Sequence, residues 1–242
     1  MARYCIIGRN ISYTLSPKLY KALWEKSGEE HTFEVRDIES LGLFMEELRR
    51  EPLYDGFTVT SPYKEEIIPY LDRLTPEARA VGAVNTVRVS PDGGTEGHNT
   101  DVSGFLLALS RTFLEKSTVL VCGTGGASKA VQEGLRQAGL PFDVVSRTGE
   151  GLTYGRIGSL RDYTHVINAT PLGSVKIPGE KPALPYDTAS PGTVFFDLNY
   201  DPAVTPFLAE GLRKGGLALG GLSMLIEMVN GPQWDYLRPS EV

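Results

Sequence analysis

Residues 119–131, VLVCGTGGASKAV, decide the fold of the second half of this chain. Four apolar residues predict a buried strand, and a glycine-rich turn then leads into a helix. In this context glycines let the backbone approach a pyrophosphate, which binds at the helix N-terminus. Gly123 and Gly125 match the G-x-G-x-x-G spacing, and Ser128 occupies the third glycine position. The stretch therefore predicts a dinucleotide site, with a tight turn that binds nothing as the alternative.

The next strand-like run, residues 142–148 (FDVVSRT), predicts which dinucleotide binds. Its end reaches the adenosine ribose in this arrangement, where an NAD-specific site usually has an acidic residue. This chain has Ser146, Arg147 and Thr148 there instead. A guanidinium binds a 2′-phosphate with two hydrogen bonds, whereas a carboxylate would repel it. We therefore predict NADP as the cofactor, with a solvated surface arginine as the alternative.

Strand-like and helix-like segments alternate along the rest of the chain as well. Such alternation predicts an α/β protein with parallel sheets covered by helices. Two series of these segments are present, with a boundary near residues 101–117. Residues 83–101 are typical of a hairpin around the turn PDGG. The last helix-like run is too short to form a domain and must pack on one of the two sheets.

Composition limits the classes of function. The chain has 242 residues, 41% of them hydrophobic, with a net charge of −6 and no long basic run. These features argue against nucleic acid or an anionic membrane as the main partner. No window approaches the length of a membrane span, and the apolar run at the N-terminus is too short for a signal peptide.

Cysteine and histidine usage adds two expectations. Cys5 and Cys122 each lie in an apolar strand-like run, which predicts reduced core thiols and a cytoplasmic protein. The histidines are His31, His98 and His165, and none has partners at metal-ligand spacing. We therefore expect neither a structural nor a catalytic metal.

Residues 56–66, GFTVTSPYKEE, contain the first catalytic candidate. The alternation predicts a half-buried strand, after which Ser61 and Pro62 suit an N-cap and a first helical residue. Lys64 would then lie in the first helical turn, where the positive end of the helix disfavours a cation. That environment suits an amine that exchanges a proton, and such unfavourable choices often mark functional sites. An exposed lysine at the edge of a helix is the alternative.

Asp101, in EGHNTDVSGF, is the second candidate. It can be the N-cap of the following helix, but it also lies at the junction of the two predicted halves. A carboxylate beside Lys64 would orient the amine and offset its charge. Oxidation of an alcohol removes a hydride from carbon and a proton from oxygen, and a positioned proton acceptor contributes a factor of about 10² to 10⁴.

The order and spacing of several motifs resemble the shikimate dehydrogenase family along nearly the whole chain. These motifs are SYTLSP, GFTVTSPYK, AVGAVNT, GHNTDVSGF, GTGGASKA, SRT, INATPLG, DLNYDPAVTP and GGLSML. The resemblance implies the NADPH-dependent reduction of 3-dehydroshikimate to shikimate, a step of aromatic amino-acid biosynthesis. It implies an N-terminal α/β substrate domain of residues 1–101 and a Rossmann-type NADP domain of residues 102–221. A C-terminal helix, residues 222–242, would return to the first domain. We expect a monomer or homodimer.

The resemblance also implies roles for individual residues, with Lys64 and Asp101 as the catalytic pair. The residues implied to bind substrate are Thr14, Ser16, Thr60, Asn85, Tyr200 and Met228. The residues themselves predict that Ser16 is the N-cap and Pro17 the first residue of a helix that ends just before Gly28. The N-terminus of such a helix can hold an anion. The residues implied to bind cofactor are Gly123, Gly125, Gly126, Ala127, Ser146, Arg147, Thr148, Asn168, Thr170, Leu172, Gly221 and Met224.

Three positions depart from the family pattern. Tyr13, Thr58 and Met228 replace a histidine, an asparagine and a substrate-contacting glutamine. A thioether lacks the donors of an amide, and the loss of a buried hydrogen bond costs roughly 1–3 kcal/mol. These departures favour, as the alternative function, a paralogue that acts on quinate, an aminoshikimate or another hydroxy acid. A nucleotide sensor on a retired enzyme fold is a further alternative, disfavoured by the retention of Lys64 and Asp101.

Overall fold

The computed structural model describes residues 1–51, 53–112, 117–147 and 151–238. The chain divides into two units, each with its own sheet. Unit 1 comprises Met1–Asp101 and Met228–Val242, and unit 2 comprises Val102–Glu227. The chain passes from unit 2 back to unit 1 between Glu227 and Met228. The sequence predicted this boundary earlier, between residues 221 and 222. The α/β class predicted from the alternating segments is confirmed.

Unit 1 contains a six-stranded mixed sheet. Its elements are β1 (Arg3–Gly8), α1 (Ser16–Ser27), β2 (Thr32–Asp37), α2 (Leu41–Arg50), β3 (Gly56–Val59), β4 (Arg73–Leu74), α3 (Pro76–Val81), β5 (Thr86–Val89) and β6 (Thr95–His98). The strand order is β2-β1-β3-β5-β6-β4. Strands β2 and β3 run parallel to β1, and the predicted hairpin is the antiparallel pair β5 and β6.

Unit 2 contains a six-stranded sheet in which every pair is parallel. Its elements are α4 (Asp101–Leu109), β7 (Val119–Cys122), α5 (Gly126–Gln137), β8 (Phe142–Ser146), β9 (Leu152–Thr153), β10 (His165–Asn168), β11 (Val194–Asp197), α6 (Pro206–Arg213), β12 (Leu217–Gly220) and α7 (Gly221–Met228). The first residue of α4 and the last residue of α7 belong to unit 1. The strand order is β12-β11-β10-β7-β8-β9, so the direction of winding reverses between β7 and β10. Ligands of doubly wound sheets bind at the carboxyl ends of the strands beside such a reversal.

Strand β7 confirms the interpretation of the glycine-rich stretch. All four of its residues are buried. Leu120 and Cys122 pack in one hydrophobic cluster, while Val119 and Val121 pack in another. A strand in a parallel sheet with both faces covered is a continuous apolar run, because each face needs its own apolar side chains. Cys5 and Cys122 are both buried, as predicted.

The C-terminal segment returns to unit 1, as predicted. A wide helical turn at Val229–Gln233 leads into α8 (Trp234–Leu237). The ring of Trp234 lies 5.5 Å from that of Tyr4 and 5.4 Å from that of Trp24, measured between centroids. The guanidinium of Arg88, on β5, donates to the carbonyl of Tyr236. The segment is therefore joined to the rest of unit 1 by aromatic packing and by hydrogen bonds.

The helix predicted to begin at Pro62 is wrong. Residues 61–67 form successive turns, followed by a short 3₁₀ helix at Ile68–Tyr70. In an α-helix the carbonyl of Lys64 would accept from the N–H of Ile68. Here it accepts from the N–H of Val84 at 2.7 Å, and Ile68 donates to Glu65. A tertiary hydrogen bond thus replaces the helical one, and the helix dipole invoked for Lys64 does not apply to these turns.

Two smaller predictions about local structure are also wrong. Strand β3 is buried at all four positions rather than alternately, because both of its faces are covered. Phe57 and Val59 pack in a hydrophobic cluster on one face, and Gly56 lies against the side chain of Leu237 on the other. Ser16 is the first residue of α1 and not its N-cap, which is Leu15. The helix ends as predicted, with Gly28 in the left-handed conformation at φ 75° just past its last residue.

Candidate active site

Lys64 and Asp101 form an ion pair in unit 1. Lys64 Nζ lies 2.6 Å from Asp101 Oδ2, and the side chains are 18% and 6% exposed respectively. The turn after β3 presents Lys64, since its carbonyl is held by the N–H of Val84. Asp101 begins α4, and its N–H donates to Asn99 Oδ1. An ammonium has three donors, so the amine can bind a ligand oxygen while it remains bonded to the carboxylate.

Asn85 is bonded to Thr100, the residue that precedes Asp101. Its backbone is held by two strands, because its carbonyl accepts from the N–H of Val59 and its N–H donates to the carbonyl of His98. Its side-chain Oδ1 accepts from the N–H of Thr100 at 2.8 Å. Since Thr100 precedes Asp101, the bond ties the amide of Asn85 to the start of α4. The side chain of Asn85 is buried.

Three predicted substrate residues lie in the N-terminal part of unit 1. The hydroxyls of Thr14 and Ser16 are 3.3 Å apart, and the N–H of Ser16 lies 3.4 Å from the Thr14 hydroxyl. The two hydroxyls therefore meet at the N-terminus of α1, where an anion is favoured. Thr60 follows β3 and is half-buried, and its N–H donates to the carbonyl of Ile7.

The remaining two predicted substrate residues lie apart in sequence. Met228 ends α7, and its sulfur is 3.4 Å from Asn85 Nδ2, so the structure brings these two predicted residues together. Tyr200 is half-buried in the loop after β11 and belongs to unit 2, whereas the other predicted substrate residues belong to unit 1.

The glycine-rich turn of unit 2 has the geometry required to hold a pyrophosphate. Gly123 has φ 109°, and a Cβ there would lie 3.0 Å from Thr170 Cγ2 and 3.1 Å from the carbonyl oxygen of Ala169. Gly125 is the N-cap of α5, and a Cβ there would meet nothing within 4 Å. The turn is therefore tight on one side and open on the other, and the helix presents its N–H groups at the open side.

Ser128 stands at the third glycine position of the G-x-G-x-x-G motif, and the turn still packs closely against α5. Its side chain is fully buried, and its hydroxyl donates to the carbonyl of Gly123 at 2.6 Å. This bond holds the turn against the first turn of α5, where Gly126 and Ala127 are half-buried. The residues of this turn fit a dinucleotide, and they would hold the pyrophosphate of NADP.

The predicted ribose-binding residues follow the neighbouring strand. Ser146 is the last residue of β8, and Arg147 is exposed immediately after it. Strand β8 pairs with β7, so Arg147 follows the strand next to the glycine-rich turn. Thr148 lies outside the described residues. Arg147 is positioned after the strand as the NADP prediction requires.

A network centred on Asp197 holds the loop that contains Asn168, Thr170 and Leu172. Asn168 ends β10 and Asp197 ends β11, where the two residues are register partners. Asn168 Nδ2 lies 3.1 Å from both carboxylate oxygens of Asp197 and 3.1 Å from the carbonyl of Leu172. The Thr170 hydroxyl donates to Asn168 Oδ1 at 2.6 Å. The loop is therefore fastened to the carboxyl end of the sheet.

Asp197 is a residue that the sequence interpretation missed. Its side chain is fully buried, and it accepts from the hydroxyl of Thr205 at 2.6 Å and from the side chain of Asn199 at 2.8 Å. Burial raises the pKa of this carboxyl, and the hydrogen bonds from Thr205 and Asn199 act against that shift. The motif DLNYDP was recognised, but a buried aspartate shows its partners only when two strands are paired.

Gly221 and Met224 begin α7. A Cβ on Gly221 would lie 2.1 Å from the carbonyl oxygen of Leu198, so only glycine allows this close approach of two backbones. Met224 packs in the hydrophobic cluster that also contains Ile167 and Phe196. Both predicted cofactor residues therefore lie at the carboxyl side of the unit 2 sheet, where α7 follows β12 directly.

Gln233 is the second residue that the sequence interpretation missed. It is 3% exposed and bonds to Tyr20, Thr86 and Thr100. A glutamine beside a tryptophan near the C-terminus is typical of a solvated helix face, and no sequence signal marks it as buried.

The fold and the two groups of residues define a class of protein. A parallel sheet with a glycine-rich turn at its reversal point is the fold of a dinucleotide-binding domain. A lysine–carboxylate pair is chemically able to exchange the proton that accompanies hydride transfer. These features are typical of a dinucleotide-dependent oxidoreductase.

Comparison with known proteins identifies the family. Residues 6–87 match the profile of the shikimate dehydrogenase substrate binding domain. A shikimate dehydrogenase (NADP(+)) from Staphylococcus aureus strain MRSA252 is 35% identical, and the match covers 93% of this chain and 88% of that protein. The structure of shikimate 5-dehydrogenase from Thermus thermophilus, in complex with NADP(H) and shikimate, superposes with a TM-score of 0.87 at 33% identity. That match covers 98% of this chain and 93% of the other. This chain belongs to the shikimate dehydrogenase family.

Membrane spans and metal clusters are both absent from the described part of the chain. Among the described residues, no helix combines the length and the apolar character needed to cross a membrane. The same residues contain no group of three or more His, Cys, Asp or Glu side chains that could hold a metal ion.

Proposed function

We propose that this chain catalyses the reversible, NADP-dependent interconversion of 3-dehydroshikimate and shikimate. The observation that carries the proposal is the Lys64–Asp101 pair, with 2.6 Å between amine and carboxylate. The relatives support the choice of substrate and cofactor, since the Thermus thermophilus protein is in complex with NADP(H) and shikimate. The match of residues 6–87 to a substrate binding domain supports the assignment of substrate to unit 1.

The proposed chemistry requires one proton and one hydride. Bound NADP supplies or accepts the hydride. In the direction of reduction, the ammonium of Lys64 donates a proton to the ketone oxygen as that oxygen gains negative charge. In the direction of oxidation, the neutral amine accepts the proton from the hydroxyl. Asp101 orients the amine and balances its charge, because its Oδ2 remains within hydrogen-bond distance of Nζ.

Binding of the substrate would use groups that the structure brings together in pairs. The hydroxyls of Thr14 and Ser16, at the N-terminus of α1, suit the carboxylate of shikimate. Asn85 Nδ2 suits a ring hydroxyl, because its present partner is a thioether, a weak acceptor. Thr60 and Tyr200 stay predicted substrate residues.

The cofactor would be held by residues of unit 2. The glycine-rich turn and the N-terminus of α5 would hold the pyrophosphate, and Arg147 would bind the 2′-phosphate. The loop fastened by Asp197 and the start of α7 would border the nicotinamide half. A cytoplasmic location, the lack of a nucleic-acid or membrane partner and a monomeric or homodimeric state stay predictions from the sequence.

Spectrophotometry with purified protein tests the proposal. Shikimate and NADP⁺ should produce NADPH absorbance, with slower reactions when NAD⁺ replaces NADP⁺ or quinate replaces shikimate. Efficient turnover of quinate with little turnover of shikimate would favour the paralogue instead. NADP binding without turnover of any of these acids would favour a nucleotide sensor.

A further inference from the structure

Asn85 presents its amide nitrogen in a fixed direction. Three donors converge on its Oδ1: the hydroxyl of Thr86 at 2.9 Å, and the N–H and hydroxyl of Thr100 at 2.8 and 3.1 Å. A backbone N–H can only donate, so the atom that faces Thr100 must be the oxygen of the amide. The NH₂ group therefore points away from Thr100 and toward Met228, whose sulfur is 3.4 Å away.

Gln233 presents a second amide nitrogen to the same sulfur. Its Oε1 accepts from the hydroxyl of Tyr20 at 2.9 Å, which sets the orientation of this amide as well. Its Nε2 lies 3.2 Å from the Thr86 hydroxyl, 3.5 Å from the Thr100 hydroxyl and 3.8 Å from Met228 Sδ. Since Thr86 in turn bonds to Asn85 Oδ1, the network joins the two amides through one hydroxyl.

The group between the two amides is a poor match for them. A thioether sulfur is a weak acceptor, yet it is the partner of Asn85 Nδ2. It also lies beside Gln233 Nε2, which holds the Thr86 hydroxyl at 3.2 Å and the Thr100 hydroxyl only at 3.5 Å, so this longer bond can be exchanged for one to a ligand oxygen. Asn85 and Gln233 are 2% and 3% exposed, so water gives them little compensation. Methionine has three rotatable bonds and fills irregular gaps, so its thioether can move aside for a better acceptor.

We propose that Asn85 and Gln233 form a two-amide clamp for one ring hydroxyl of the substrate, and that Met228 Sδ occupies the position of that hydroxyl oxygen when no substrate is bound. The inference rests on the proposed function, because it takes shikimate as the ligand. An uncharged hydroxyl suits the clamp, since neither amide carries a charge. The hydroxyl is one of the two that do not react, because the reacting oxygen must meet the Lys64–Asp101 pair. Gln233 thereby becomes a determinant of specificity.

The test compares shikimate with two analogues, each lacking one of the non-reacting ring hydroxyls. We expect wild-type protein to prefer shikimate over one analogue by about tenfold in kcat/KM, the value of one good hydrogen bond. Gln233→Met keeps the length of the side chain and removes its amide. It should lower that preference without abolishing it, because Asn85 still donates to the hydroxyl, and it should leave the preference over the other analogue unchanged.

Two further variants separate recognition from folding. Tyr20→Phe removes the hydroxyl that orients Gln233 and leaves its amide in place, so it should reduce the same preference by a smaller factor. If Gln233→Met does not fold, Tyr20→Phe carries the test. Gln137→Met makes the same replacement at the exposed end of α5 and serves as the control.

The outcomes distinguish the two proposals. Equal losses on shikimate and both analogues in Gln233→Met and Tyr20→Phe would show a purely structural role and overturn the clamp while leaving the proposed function intact. If wild-type protein forms no NADPH from shikimate, both proposals fail together.

Discussion

Replacement of Lys64 by methionine separates the catalytic contribution of the Lys64–Asp101 pair from its contribution to stability. Removal of the proton-transfer group should lower kcat by about 10² or more. The same change leaves Asp101, 6% exposed, without its cation. The breaking of a fully buried pair costs about 3–5 kcal/mol, and the loss of an exposed pair less than about 1 kcal/mol. Because Lys64 is 18% exposed, we expect an intermediate loss of about 1–3 kcal/mol in the free energy of unfolding.

Two measurements follow these effects independently. NADPH formation at saturating shikimate and NADP⁺ gives kcat, and titration with NADP⁺ gives cofactor affinity, which should stay unchanged because the glycine-rich turn belongs to unit 2. Urea denaturation gives the stability of unit 1 through tryptophan fluorescence. Both tryptophans, Trp24 and Trp234, lie in that unit.

The double variant Lys64→Met/Asp101→Asn is the matched control. Without the carboxylate charge, most of the lost stability should return, since removal of both partners avoids an unpaired buried charge. The activity should not return. Near-normal kcat in Lys64→Met would make Lys64 a structural residue, and equal stability of the single and double variants would show that Asp101 is not held by its ion pair.

Three further predictions concern other residues. Arg147→Ala should raise KM for NADP⁺ by roughly 10- to 100-fold and KM for NAD⁺ far less, since a charge-assisted hydrogen bond is worth about 1.5–3 kcal/mol; equal effects would place Arg147 away from the ribose. Thr58 has a buried hydroxyl with no hydrogen-bond partner among the described residues, so Thr58→Val should raise the free energy of unfolding by up to about 1 kcal/mol, and a loss in urea denaturation would reveal a partner. Burial lowers the pKa of His165 below its ordinary 6.5, so the unfolded state binds more protons and the stability of unit 2 should fall as the pH drops through that value. His165→Gln should flatten this dependence in thermal unfolding at a series of pH values, and an unchanged slope would assign it to other groups.

The sequence by itself determined the elements whose signals are local. The apolar run of β7, the glycine turn and the start of α5 depend on residues within one short stretch. Gly28 ends α1 and the turn after β5 forms a hairpin for the same reason, because each conformation is set by the residues that adopt it. The order of these signals was sufficient to predict two α/β units and a dinucleotide site.

The turns after β3 show where local signals failed. Ser61 and Pro62 suit a helix start, and the pattern contains nothing to contradict it. The carbonyl of Lys64 accepts a hydrogen bond from the N–H of Val84 and not from the N–H of Ile68, so these residues form turns instead of an α-helix. The argument from the residues singled out Lys64 by a helix end that the structure removes, whereas the observation that now supports the residue is its 2.6 Å contact with Asp101.

The amide network was decided by the tertiary structure alone. Gln233 and Thr86 are separated by 147 positions, and Asn85 and Met228 by 143. No local pattern specifies such pairs, because a hydrogen bond depends on the positions of two atoms and a sequence motif describes only neighbours along the chain. The return of the C-terminal segment to unit 1 brings these groups together, and their burial away from water makes the weak acceptor beside Asn85 Nδ2 significant.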